Sequence, residues 1–302
     1  MPHEIDRILA AVAGSTWAIE EDKAAEITAM LAMRADGVGA EWSEEPREAV
    51  YAGEPVAGRR GPVHVVNLQG TIVPRAGMMA RMSGGASLEH FSKAFSTAAA
   101  DTTAQAIVLN VDSPGGVVDL VSETGDLVYA ARRDDRPIIA VANTLMASAA
   151  YWIASAADEV VVTPSGKVGS IGVLGQHDDM SKMLEKAGVS RRIISSGPRK
   201  AEGVFGPLDD AALAHRQASA DYAYDMFVKA VSRNRGVSVA TVRADPEKSE
   251  EHFGGGRAYY AREAVRLGMA DRVQTFDQVL QRAARGRPAR NARMARARLT
   301  TL

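Results

Sequence analysis

The chain has 302 residues, is 46% hydrophobic and 24% charged, carries a net charge of −1 and contains no cysteine. Such a composition predicts a packed core, in one large α/β domain with appendages or in two modest domains. It excludes disulfide frameworks and thiolate metal sites, and it gives no overall pull toward nucleic acid or anionic membrane.

The chain opens MPHEIDRILAAVAG, with Glu4 and Asp6 where a secretory signal would be basic and then apolar, so no signal peptide is expected. Apolar residues spaced at three and four (Ile5, Ile8, Leu9, then Ala25, Ile27, Leu31) predict a helical N-terminal region over 1–35. Residues 36–61, rich in Gly, Glu, Pro and Arg, read as a linker. The main domain is expected over 62–275. VHVVNL (63–68) reads as a strand, TIV as a short second one, MMARMSGGAS as a flexible stretch, and 87–101 as a helix capped by Ser87.

Continuous apolar runs follow at AIVLNV (106–111), PIIAVAN (137–143) and EVVVTP (159–164), the pattern of parallel strands buried on both faces. Between them come helices over 117–133 and from Ser148. A Gly-punctuated extended stretch (168–175), a helix (178–188), a strand at RRIIS (191–195) and a long helix (209–235) come next. AREAVRLGMADRV reads as helical, a last helix falls near 276–286, and 276–302 closes the chain as terminal helix and basic tail. Repeated strand–turn–helix units predict a mostly parallel sheet with helices outside, and chemistry at the strand C-terminal ends. The stretch 137–157 has no charged residue and is long enough to span a bilayer. Pro137, Asn143, Thr144 and the many alanines favour a buried strand, turn and helix instead, so no membrane anchor is expected. The tail from Arg282 to Leu302 holds seven arginines and no acid. A solvated tail is the simpler reading, and contact with nucleic acid or an acidic partner is the other.

Two strand-end turns could carry chemistry. In Asp112-Ser113-Pro114-Gly115-Gly116 the glycines let consecutive N–H groups face a ligand, at the start of a helix. That suits a developing oxyanion, although Pro-Gly turns are common. In NTLMASAAYWIASAA (143–157), Ser148 reads alone as an N-cap, and its small neighbours also allow another chain to approach. A serine nucleophile needs a base. The six histidines show no metal-ligand spacing, so no metal is expected; His64 and His177 are the only histidines near strand ends. A lysine can serve as base if burial lowers its pKa. The chain has eight lysines against 28 arginines, and Lys200, in SSGPRKAEG, follows the expected strand end at 191–195.

SPGG at 113–116, the serine at 148, GSIGV at 169–173 and SGPRK at 196–200 together resemble the S49 peptidase family, of the signal peptide peptidase A type. IVPRAGMMARMSGG, VDSPGG and VANTLMASAAYWIASAADEVVVTPSG are most similar to its phage and prophage branch, the capsid or head maturation proteases. The resemblance implies a ClpP/crotonase-like α/β fold of repeated β-β-α units. It implies Ser148 as nucleophile, Lys200 as general base, Ser170 positioning the lysine, and Gly115 and Gly116 as the oxyanion turn, with the Ala149 amide assisting. This chain has Ser-Ala-Ala where the family often has Ser-Gly-Gly, and Gly197-Pro198-Arg199-Lys200 where it often has G-K-Y-K. The resemblance further implies a cofactor-free endopeptidase working at basic pH on scaffold, capsid or portal proteins. It implies a homo-oligomer whose neighbouring subunits complete the cleft, in the bacterial cytoplasm or inside a prohead. The rival functions are a general signal-peptide-peptidase-like protease and a crotonase-like acyl-CoA enzyme, which shares the fold and the glycine turn.

Overall fold

The structure is a computed structural model that describes residues 17–19, 56–75, 85–204 and 206–286. Its centre is a mixed sheet in the order β11-β10-β8-β6-β3-β2. The strands are β2 (Ala57–Arg60), β3 (Val63–Gln69), β6 (Ala106–Ser113), β8 (Ile138–Ala147), β10 (Lys167–Gly169) and β11 (Ala258–Tyr260). β3, β6, β8 and β10 run parallel. Below β10, the same edge of β8 carries β9 (Glu159–Val162), which in turn pairs with β12 (Arg272–Val273). The apolar runs at 106–111 and 137–143 lie in the two central strands, where both faces are covered.

One face packs on α1 (Leu88–Ala100), α2 (Val121–Ala130), α3 (Ala149–Ala154) and α5 (Asp210–Arg235), through Phe91, Phe95, Val128, Trp152 and Phe227. The other face, formed by Val63, Val108, Ile139, Val141 and Val161, takes Val279 and Ala283 of α8 (Phe276–Ala284). Short helices α4 (Ser181–Lys186), α6 (Val239–Arg243) and α7 (Ala261–Arg266) complete the chain. Helix ends follow the expected chemistry. The Ser87 side chain accepts from the His90 amide, Asp209 accepts from Ala212, Gly236 ends α5 in the left-handed region, and Thr275 and Gln278 form a capping box.

A second sheet, β1-β7-β4-β5, stands over the C-terminal ends of the main strands. It contains β1 (Trp17–Ile19), β4 (Ile72–Val73), β5 (Ala86–Ser87) and β7 (Gly115–Val117). Thus β3, β4 and α1 repeat as β6, β7 and α2, giving the expected β-β-α units.

Several details differ from the sequence reading. Residues 17–19 form a strand, although the apolar spacing around them predicts helix. Strand β2 lies inside the stretch read as a linker and pairs with β3. RRIIS forms no strand: it is exposed, with Ile194 93% accessible. The end of AREAVRLGMADRV is β12, not helix. The rest of 1–35, the Met-rich stretch at 76–84 and the tail from residue 287 lie outside the described residues.

Candidate active site

Ser148 sits where β8 turns into α3. Its backbone has φ 54° and ψ −119°, a region that costs a non-glycine residue about 1–3 kcal/mol. The register explains the bend. Val111 pairs with Ala142, but Ser113 pairs with Met146, so β8 carries extra residues where β6 has one. The extra loop contains Thr144, also at positive φ, whose hydroxyl donates to the Asp112 carboxylate. This bulge swings the end of β8 across the top of β6 and sets Ser148 opposite the glycine turn. Strain at such an elbow persists only where packing over-determines it. Here α3 is buried throughout: Trp152 stacks on Phe227 with centroids 4.7 Å apart, and Tyr151 Oη donates to the Met269 carbonyl at 2.8 Å.

The Ser148 side chain makes no N-cap hydrogen bond, so the capping role that its position suggests is not what its hydroxyl does. Among the described residues Oγ has a long 3.5 Å contact to the Gly172 carbonyl. The Ser148 amide donates to the Gly169 carbonyl at 2.8 Å. That bond draws in Ser170, a nearly buried serine at φ 52° whose own amide donates to Arg257.

Gly115 faces Ser148 directly. A Cβ placed on Gly115 would lie 2.9 Å from the Ser148 Cβ and 3.1 Å from the Ala149 nitrogen. The φ of Gly115 is 101°, so only glycine fits on both counts. Gly116 meets the backbone of β4 instead, where a Cβ would stand 2.0 Å from the Ile72 carbonyl oxygen. Ser113, quoted in the motif without a role of its own, proves to organise the turn. Its Oγ donates to the Gly70 carbonyl at 2.7 Å and accepts from the Gly115 amide at 3.2 Å.

Ser148, Gly115 and Ala149 therefore come together at one point, with Gly116 next to Gly115 on β7 and Ser170 one residue beyond the Gly169 carbonyl that the Ser148 amide meets. Lys200 does not join them within the single chain. It lies in an exposed turn after Gly197, and no hydrogen bond links it to Ser148. His64 and His177 are engaged elsewhere. His64 pairs through β6 with the level of Ile138, ten positions below Ser148 on β8, which at about 3.3 Å per residue is on the order of 30 Å away. It bonds Asp101 at 2.7 Å, and that hydrogen bond, followed by those from Thr103, holds the Asp101 carboxyl well below the usual carboxylate range. His177 bonds the Gly206 carbonyl at 2.8 Å. Among the described residues no cluster of His, Asp or Glu could hold a metal ion.

A strained, buried serine at a strand–helix turn, beside a glycine turn at the open ends of a mostly parallel sheet, marks an α/β protein with a candidate site at the strand C-terminal ends. The family model of Peptidase family S49 matches residues 130–290, more than half the chain, and the chain belongs to that family. It is 31% identical over 239 residues to capsid assembly protease C of Escherichia phage lambda, covering 79% of this chain and 52% of that protein. To the head-tail preconnector protein GP5 of Enterobacteria phage P21 it is 33% identical over 181 residues, covering 60% of this chain and 36% of the relative. Protease 4 of Haemophilus influenzae is 24% identical over 221 residues, covering 73% and 34%. The chain thus spans about half the length of the lambda protein and about a third of the other two.

Proposed function

We propose that the protein is a serine endopeptidase with Ser148 as nucleophile and Lys200 as general base, and that its substrates are phage scaffold, capsid or portal proteins. The observation that carries the enzymatic reading is the Ser148 backbone. Its strained φ and ψ set a buried serine, with no N-cap hydrogen bond, against the glycine turn, and strain of this kind clusters at active sites. The capsid role draws on the likeness to the lambda and P21 proteins.

In this reading Lys200 takes the proton as Ser148 attacks a scissile carbonyl. Amides of the Gly115–Gly116 turn and of Ala149 meet the oxyanion. The protonated lysine then passes its proton to the leaving amine, and water repeats the sequence on the acyl-enzyme. Ser170, level with Ser148 through the Gly169 carbonyl, is suited to position the lysine head. Lys200 lies on an exposed stretch together with Met183, Ile193 and Ile194. A monomer leaves those apolar side chains in water, so self-association that covers the stretch would both bury it and carry a lysine to a serine. The setting proposed is the bacterial host, in the cytoplasm or the prohead. No helix among the described residues is long and apolar enough to cross a membrane.

The test is cleavage of a phage capsid or scaffold protein by the purified chain. Ser148→Ala and Lys200→Ala should each lose activity by about a hundred-fold or more, with unchanged circular dichroism. A Lys200→Ala protein of near-normal rate rejects the dyad; a Ser148→Ala protein of near-normal rate rejects the nucleophile.

A further inference from the structure

Strand β1 is held along both edges. On one edge Trp17 exchanges backbone hydrogen bonds with Leu174, 2.9 Å in each direction. On the other, β1 runs antiparallel to β7, with Ala18 opposite Gly116 and Ile19 opposite Gly115. Successive residues of an extended strand turn their N–H and C=O groups to opposite sides. Trp17 faces Leu174, so Ala18 faces the glycine turn. The Ala18 carbonyl oxygen lies 2.2 Å from the point that a Cβ on Gly115 would take. The Ser148 Cβ and the Ala149 nitrogen lie 2.9 and 3.1 Å from that same point. The carbonyl of Ala18 is therefore a neighbour of both the serine and the first amide of α3. Trp17, Ala18 and Ile19 are 6%, 0% and 5% exposed, and Ser148 beside them is 0% exposed.

An extended segment pinned between strand edges, with a small residue's carbonyl at the serine, is held as a peptide is held by strand addition. While it stays, no other chain reaches Ser148. We infer that Trp17-Ala18-Ile19 is an intramolecular substrate of this site, filling the cleft until it is cut between Ala18 and Ile19. The inference rests on the peptidase reading. In the cut, Ser148 Oγ bonds to the Ala18 carbonyl carbon and its proton passes to the base. The bond from that carbon to the Ile19 nitrogen breaks, and the nitrogen takes the proton as a free amine. Water then splits the Ser148–Ala18 ester, leaving an Ala18 carboxylate and the serine hydroxyl restored. The chain now begins at Ile19, and the cleft is open.

The test follows the full chain by intact mass, N-terminal sequencing, labelling of Ser148 with a fluorophosphonate and hydrolysis of a reporter peptide. Wild type should yield a species beginning at Ile19, and Ser148→Ala should stay whole. Ala18→Asp puts a charge where no water reaches, so the segment cannot seat. That chain should resist the cut, yet label and hydrolyse the reporter about ten-fold faster than uncut wild type. Ile19→Pro leaves Ala18 in place and should also block the cut, which serves if the aspartate variant does not fold. A wild-type chain that stays whole while matching Ala18→Asp, or Ile19→Pro cut at the wild-type rate, overturns the inference and leaves the peptidase standing. No hydrolysis by any chain overturns the peptidase reading, and the inference with it.

Discussion

Replacing Gly115 by alanine tests the geometry of the site without touching a proposed catalytic side chain. A Cβ there meets the Ala18 carbonyl oxygen at 2.2 Å, the Ser148 Cβ at 2.9 Å and the Ala149 nitrogen at 3.1 Å. None of these is the far end of a flexible side chain, so strand, elbow or helix must shift. Overpacking of this kind costs about 1–3 kcal/mol. The backbone adds to it, because φ is 101° and a non-glycine residue there costs about 1–3 kcal/mol more. Together these give about 2–6 kcal/mol, a drop on the order of 5–20 °C in melting temperature for a chain of this size. Gly58→Ala is the matched control, since its Cβ would meet nothing within 4 Å and its φ is not positive. Thermal unfolding followed by circular dichroism should show a large loss for Gly115→Ala and at most a slight change for Gly58→Ala. A Gly115→Ala chain that melts with wild type and keeps its phosphonate labelling would refute the close approach of Ser148 to the turn.

Three further outcomes follow. The Asp101 carboxyl is held low mainly by the His64 hydrogen bond, so the stability it contributes is present above the ordinary carboxylate pKa and is lost as pH falls below about 4. Urea titrations should accordingly show wild type more stable than Asp101→Asn at pH 7, with the gap closing toward pH 3; a gap that widens in acid would be wrong for this pair. Arg235 and Asp271 form a buried ion pair, 2.8 Å apart with side chains 2% and 9% exposed, that ties α5 to the start of β12. Asp271→Ala should cost about 3–5 kcal/mol in urea unfolding, and a loss under about 1 kcal/mol would refute the account of that contact. If a lysine is the base, the rate should fall steadily from pH 9 to pH 6, whereas a flat profile would point to another base.

Much of this architecture was legible because local and global preferences agree. The apolar runs of β6 and β8 and the capped helix α5 need no distant partner to be recognised. Strand β1 was not legible in that way. Three residues within a helix-like spacing became a strand because their pairing partner, β7, lies about a hundred positions further on. RRIIS failed for the opposite reason: its composition favours strand, but no neighbouring edge receives it. At the site, Ser148, Gly115 and Ser170 stood out by their order in the chain. The strain at Ser148 did not, because it arises from the offset between β6 and β8 at Thr144. The role of Ser113 was hidden too, since it acts through Gly70, which the motif does not include. A clue to β1 was present in its composition, an aromatic and a β-branched residue flanking an alanine.

The central claim is that Ser148 is a nucleophile. The most direct measurement is mass spectrometry of the chain after incubation and reaction with a fluorophosphonate, with residual hydrolysis of the reporter peptide read on the same sample. The account predicts one phosphonyl adduct, on Ser148, with hydrolysis lost in proportion to labelling and no adduct on Ser148→Ala. An adduct on another serine, or full hydrolysis by protein labelled at Ser148, would contradict it.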